Sequence, residues 1–313
     1  MLEQLSADVS TVISLPGLDP VAYPPAFPAP GRARARDVPV RVARPPRDFG
    51  DISGYEVEAE LGAGGMARVY AARDRRSGER VALKIAADTP FARRQLVREA
   101  AMLRRLIHPS IVSILDSGTV DDRPFYTMEI IDGVTLRDWM HQHGRLPSHR
   151  AAEVLLELCG ALHAVHESGL VHHDVTPANI MLGEGHTGSA RLFLLDFGLA
   201  RKPDAQGPSM LVAGTPGYMA PEVVVGEPSD RRADVYSVGA IGAFLVSGGE
   251  PDAAVTSVEA PSRSWAFDEI RRCALRTVIR RCLSERPCDR FATVTELEAA
   301  VVSAMSDHDG PRH

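Results

Sequence analysis

An aspartate and an asparagine stand five positions apart in VHHDVTPANI, residues 171 to 180, with Pro177 fixing the turn between them. Asp174 can accept a hydroxyl proton, and Asn179 can offer its amide oxygen to a hard cation. Further on, Asp196 ends the apolar stretch RLFLLD and precedes Phe197-Gly198. A carboxylate there, together with Asn179, could hold Mg²⁺ against the phosphates of a nucleotide. Upstream, Lys84 closes the apolar run VALK and needs a counter-charge if it points into a cleft. Glu99, within the helical stretch VREAAML, is the natural one, leaving Lys84 to hold phosphate oxygens. In LGAGGMARVY, Gly62 and Gly64 would let the backbone approach an anion and aim N–H groups at it, although Ala67 stands where a third glycine would complete the pattern. Taken singly, each has a plain alternative. The glycines could make an ordinary hairpin, Lys84 could snorkel from a strand edge, and Glu99 could face solvent. Their order and spacing together point to phosphate chemistry.

These residues need elements to carry them. YEVEAELG, RVYAARD and ERVALKIA alternate as strands separated by Gly-rich or Ser-Gly turns. A helix follows, with Thr89 as its N-cap and Pro90 in its first turn, and runs to about His108-Pro109. IVSILDSGTV and PFYTMEII supply two more strands, closing a first lobe near residue 132. The remainder is expected to be mainly helical. LPSHRAAEVLLELCGALHAVHESG reads as a helix capped by Ser148 and stopped at Gly169. ADVYSVGAIGAFLVSG is apolar almost all round, as a buried central helix must be. FDEIRRCALRTVIRRCLSE is amphipathic, and a capping box of Thr293 and Glu296 opens the last helix. The expected architecture is α+β: a small sheet lobe with one helix, residues 55–132, hinged to a larger helical lobe, residues 133–305, with a short tail at 306–313.

The totals exclude several classes. A chain of 313 residues with net charge −6 has no global basic field to attract nucleic acid. Cys159, Cys273, Cys282 and Cys288 show no metal-ligand or CxxC spacing and read as reduced thiols of a cytoplasmic protein. No apolar run reaches the roughly 18 residues of a membrane span, and no secretory signal is evident. Residues 1–54 differ from the rest, being rich first in Pro and then in Arg. They are expected to form a largely disordered arm.

Six blocks in this order resemble the protein-kinase signature set in its bacterial, eukaryotic-like Ser/Thr form: LGAGGMARVY, VALK with Glu99, HHDVTPANI, DFG, GTPGYMAPE with ADVYSVG, and ERPCDRF. The resemblance covers about residues 55 to 305 and implies the bilobal kinase fold, with ATP and Mg²⁺ (or Mn²⁺) as cofactors and a Ser/Thr hydroxyl of a protein as acceptor. It implies that Leu61, Gly62, Gly64, Val69, Ala82 and Met181 enclose the nucleotide. Met128 would be the gatekeeper, with the backbone of Glu129 and Ile131 bonding the base. Lys84, oriented by Glu99, would hold the α- and β-phosphates. Asp174 would be the catalytic base, and Asn179 and Asp196 the metal ligands. Thr215 would bond Asp174 and select Ser/Thr acceptors. Leu103, His172 and Phe197 would stack into a column between the lobes, anchored by Asp234, and Arg290 would pair with Glu222.

The pattern departs from the family at three places. Thr176 replaces a Lys that holds the transferred phosphoryl group, a loss worth roughly 10²–10³ in rate, so a slow kinase is expected. His173 replaces the Arg that grips a phosphorylated activation loop, and between Gly198 and Gly214 the only hydroxyl is Ser209. Loop phosphorylation is therefore not expected to be the main on-switch. DAAVTSVEAPSRSWAF is shorter than the family's substrate-side helix and reads as loop, so the recognition surface is expected to differ. Regulation would come from a protein partner or the N-terminal arm. The alternatives are a pseudokinase that binds nucleotide and regulates a partner without turnover, and a small-molecule phosphotransferase, which GTPGYMAPE argues against.

Overall fold

The computed structural model describes residues 52, 54–184, 190–203, 217–251 and 273–306. Most of the N-terminal arm, Ser209, Thr215, and the loop expected after Pro251 lie outside these residues.

The first part is a five-stranded antiparallel sheet in the order β1-β2-β3-β5-β4. Its strands are β1 (Tyr55–Ala63), β2 (Ala67–Asp74), β3 (Arg80–Ala86), β4 (Ile114–Val120) and β5 (Arg123–Glu129). The two-residue period of β3 splits its side chains between two environments. Val81, Leu83 and Ile85 join Tyr70, Ala72 and Phe125 in one apolar cluster on one face. Ala82, Lys84 and Ala86 point to the other face. Directly opposed residues share a face, so Val69 and Tyr126, both paired with Lys84, and Met128, paired with Ala82, lie there too. Ile52, ahead of β1, is buried in the same apolar cluster and forms an isolated bridge with Tyr55.

Helix α1 (Pro90–Leu103) covers the inner face. The Thr89 hydroxyl caps it by accepting from the Ala92 N–H at 3.1 Å. The helix stops four residues short of Ile107. Arg104 donates to the Ala100 carbonyl and Arg105 to that of Met102, a tightening turn that leaves Ile107 95% exposed.

The second part is mainly helical. It opens with β6 (Asp132–Thr135) and α2 (Leu136–His143), followed by α3 (Ser148–Glu167). The short strands β7 (Ile180–Glu184) and β8 (Ala190–Leu194) complete a β6-β7-β8 sheet. Then come α4 (Pro221–Val224), α5 (Arg232–Ser247), α6 (Arg276–Cys282) and α7 (Val294–Ser306). Ser148 is not a cap. Pro147 holds that position, and the Ser148 hydroxyl instead lies 3.2 Å from the Cys273 thiol. Gly169 does end α3, at φ +76°. Every residue from Ala233 to Val246 in α5 is buried, including Asp234. At α7, Thr293 accepts from the Glu296 N–H at 3.1 Å, while the Glu296 carboxylate reaches back to the Ala292 N–H rather than to that of Thr293. Among the described residues no helix is long and apolar enough to cross a membrane, and the four cysteines are free thiols.

Candidate active site

Lys84 leaves β3 on the inner face and meets Glu99 of α1 at 2.7 Å and Asp196 at 3.1 Å. Glu99 faces inward, as a solvent-exposed helical charge would not, and is buried with the Tyr126 hydroxyl donating to it at 3.0 Å. Burial works to discharge Lys84, but the two carboxylates outweigh it and hold its pKa above the ordinary value. Burial raises Glu99 above the usual carboxylate range. The Asp196 side chain is about half exposed. Its partial desolvation opposes the charge, yet the Lys84 ammonium and the Gly198 N–H hold its carboxyl below the usual carboxylate value, so it is an anion at neutral pH.

Asp174 and Asn179 come from one loop and meet. The Asn179 amide nitrogen donates to Asp174 Oδ2 at 2.8 Å and to the Asp174 carbonyl at 2.9 Å. The same asparagine's main-chain carbonyl accepts from the Leu195 N–H at 2.8 Å, which ties this loop to the residue preceding Asp196. Burial, reinforced by the neighbouring Asp196 charge, pushes the Asp174 carboxyl up to about 7. Two backbones here lie in the left-handed region: His173 at φ +65° and Asp196 at φ +57°. Such conformations are uncommon for non-glycine residues and need outside support.

That support is visible. Asp234, fully buried in α5, accepts from the main-chain N–H groups of His172 and His173, both at 2.8 Å. His166 of α3 is a third partner at 2.8 Å. Burial opposes its charge, but the hydrogen bond to His166 and the surrounding imidazoles hold the Asp234 carboxyl down to about 2. The His172 ring packs edge-on against Phe197 with centroids 4.6 Å apart, and Leu103 belongs to the same buried core as Phe197. Gln95 of α1 donates to the Gly198 carbonyl at 3.0 Å, a second link from that helix to the Asp196 segment.

The other sequence-derived residues are spread over β1, β2, β3, β5 and β7 and the junctions beside them. Val69, Ala82 and Met128 share the inner face of the sheet with Lys84. Leu61 lies exposed at the edge, beside a register shift in β1. A side chain added at Gly62 or Gly65 would meet nothing within 4 Å, and one at Gly64 would meet only the Ala67 carbonyl at 3.7 Å. Packing among the described residues does not require these glycines. Glu129 donates its N–H to the Ser113 carbonyl at 3.3 Å, and Ile131 follows at the junction to β6. Met181 sits on β7, opposite Thr135. Thr176 is buried, and among the described residues its hydroxyl has no hydrogen-bond partner. Thr215 lies outside the described residues.

The donor set suits a cation held partly by phosphate. Among the described residues no three His, Cys, Asp or Glu side chains gather into a self-sufficient metal cage. Mg²⁺ characteristically takes one or two protein oxygens and completes its shell with water and phosphate. The ionised Asp196 carboxylate and the Asn179 amide oxygen, whose nitrogen is already committed to Asp174, fit that role.

Sequence reasoning missed Tyr126, Gln95 and His166, which are ordinary residue types brought in from distant elements. It also missed the Gly133–Gly183 pair on β6 and β7. A Cβ on Gly183 would lie 2.6 Å from the Asp132 carbonyl oxygen and 2.8 Å from the Gly133 Cα, so only glycine permits that approach. Two glycines at unrelated positions gave the only signal.

The protein kinase domain family matches residues 55–300. A probable serine/threonine-protein kinase of Corynebacterium efficiens is 36% identical over 270 residues, which is 78% of this chain and 40% of that protein. The serine/threonine-protein kinase PknB of Mycolicibacterium smegmatis is 35% identical over 277 residues, 82% of this chain and 43% of its own length. Pkn1 of Myxococcus xanthus, also a serine/threonine-protein kinase, is 33% identical over 294 residues, 89% and 42% respectively. The chain thus spans about two fifths of the length of these relatives. With the sheet, the helical part and the family match in agreement, this chain belongs to the protein kinase domain family and has its bilobal α+β fold.

Proposed function

We propose that this chain is a protein Ser/Thr kinase that transfers the γ-phosphoryl group of ATP to Ser or Thr hydroxyls of a protein substrate. The observation that carries this reading is the joining of Lys84, Glu99 and Asp196 at 2.7 and 3.1 Å, beside an Asp174 held by Asn179 at 2.8 Å. Two lobes, 55–132 and 133–305, enclose the nucleotide. Val69, Ala82, Met128, Met181 and Leu61 contact the base, and Glu129 and Ile131 bond it through their backbones. Gly62 and Gly64 cover the phosphates. Lys84 has three N–H donors and gives two to carboxylates, which leaves one for a phosphate oxygen. Asn179 and Asp196 hold Mg²⁺, which neutralises charge on the phosphates when bound.

Asp174 orients the acceptor hydroxyl. Asn179 occupies one of its carboxylate oxygens, so the other is presented to the substrate. Thr215 is assigned acceptor selection on its sequence position alone. The protein substrate and a regulatory partner belong to the same proposal, as does slow turnover, because no ammonium stands at position 176.

The experiment is incubation of the purified chain with labelled ATP, Mg²⁺ and a generic protein acceptor, beside Asp174→Asn. Transfer should fall by about 10²–10⁴ in the variant. Equal, background-level signal from both proteins would replace the kinase with a nucleotide-binding regulator.

A further inference from the structure

We propose that Ser229, in the loop between α4 and α5, is a positioning residue that locks the catalytic loop through His173, doing with a hydroxyl what the family does with a phosphorylated activation loop. The proposal rests on the kinase reading above.

His173 Nδ1 lies 3.1 Å from the Val171 carbonyl oxygen, which can only accept, so Nδ1 carries the proton. In a neutral imidazole Nε2 is then an acceptor, and the Ser229 hydroxyl stands 2.9 Å from it as the donor. The oxygen of Ser229 in turn accepts from Arg201 Nη2 at 3.5 Å. Arg201 and Val171 exchange both main-chain hydrogen bonds, at 2.8 and 3.0 Å, which closes the circuit. Each group is used in the sense its chemistry allows, and burial of both His173 and Ser229 keeps water from competing for the bonds.

The circuit ties together three segments: the residues just before Asp174, the segment just after Gly198, and the entry to α5. His173 is the residue that most needs such a tie, since its φ is +65° and it immediately precedes Asp174. Asp234 holds its main-chain N–H from one side, and Ser229 holds its ring from the other. A guanidinium at 173 would lack the acceptor that Ser229 needs, so histidine and serine form a matched pair.

The full chain should be compared with Ser229→Ala and Ser229→Thr in steady-state transfer, with nucleotide affinity and thermal melting measured in parallel. Nitrogen-15 spectra of the histidines should be recorded to find the His173 tautomer. Ser229→Ala should lower kcat about tenfold, as expected when a support behind the reacting groups is lost. The KM for ATP should stay within twofold, Ser229→Thr should restore most of the rate, and the wild-type His173 proton should sit on Nδ1. An unchanged kcat in Ser229→Ala overturns the proposal, as does a wild-type proton on Nε2. Should Ser229→Ala not fold, the threonine variant and the tautomer decide. Should the wild type transfer no more phosphate than Asp174→Asn, the kinase reading fails separately. The tautomer then still tests the circuit, with Nδ1–H supporting it and Nε2–H refuting it.

Discussion

Two buried ion pairs invite comparison. In the helical part, Arg290 donates from all five of its N–H positions. Two bonds go to the Glu222 carboxylate at 2.7 and 2.8 Å, and three go to the carbonyls of Ser284, Arg232 and Glu285. Its guanidinium also lies over the Tyr236 ring. Nothing is left over for a ligand. In the cleft, Lys84 shares itself between Glu99 and an Asp196 whose side chain is about half exposed. The first pair is saturated by its own chain and fixes geometry. The second is incomplete: of the three ammonium N–H donors of Lys84, two meet carboxylates and the third has no hydrogen-bond partner among the described residues. A burial measure alone would not separate them, whereas a count of donors does.

Removing the cation from each pair in turn should give the largest difference between them. Arg290→Met leaves a buried carboxylate with no guanidinium and should cost about 3–5 kcal/mol of stability, read by denaturant titration. Lys84→Met should cost less stability, because Glu99 already has a raised pKa and can take up a proton while Tyr126 still donates to it. Its transfer rate should nonetheless fall by about 10²–10³. Equal stability losses would mean that both pairs are structural.

A smaller effect tests the cleft's shortage of positive charge. Thr176→Lys should raise kcat by up to about 10², since a preorganised donor near the transferred group is worth that much. An unchanged kcat would show that the missing ammonium does not limit turnover.

The mildest probe is pH. The Asp174 carboxyl is raised from 3.8 to about 7. The base form is therefore lost as pH falls through about 7, and kcat/KM of the free enzyme should drop about tenfold per unit below that value and level off above it. Stability runs the other way. Between 3.8 and about 7 the folded state holds a proton that the unfolded chain releases, so folding weakens as pH rises across that window. Asp174→Asn should flatten both profiles.

The residues legible in the sequence were those whose chemistry sits inside a short pattern. The alternation of β3 separates Val81, Leu83 and Ile85 from Ala82, Lys84 and Ala86, so the face carrying Lys84 follows from period alone. The Asp174–Asn179 spacing, the Thr89 cap and the almost wholly apolar α5 are equally local. Tyr126 reaches Glu99 from 27 positions away and Gln95 reaches Gly198 from 103, and neither residue type suggests its task beforehand. Ser148 was misread for a related reason. Its composition fits a cap, but the chain turns into α3 one residue earlier, and its hydroxyl faces Cys273. The left-handed backbones at His173 and Asp196 fall on residue types that tolerate that region better than most, but type alone does not say which Asp or His adopts it, because tertiary bonds decide.

The contact between Gly133 and Gly183 carries a consequence for how this chain tolerates change. β7 begins one residue after Asn179 and carries Met181, so any side chain wedged between the two glycines would pry that strand from its neighbour and drag the candidate metal-binding amide along. Harm at this crossing would thus surface as lost chemistry several residues away, and sequence variants there could be mistaken for faults in the catalytic groups themselves.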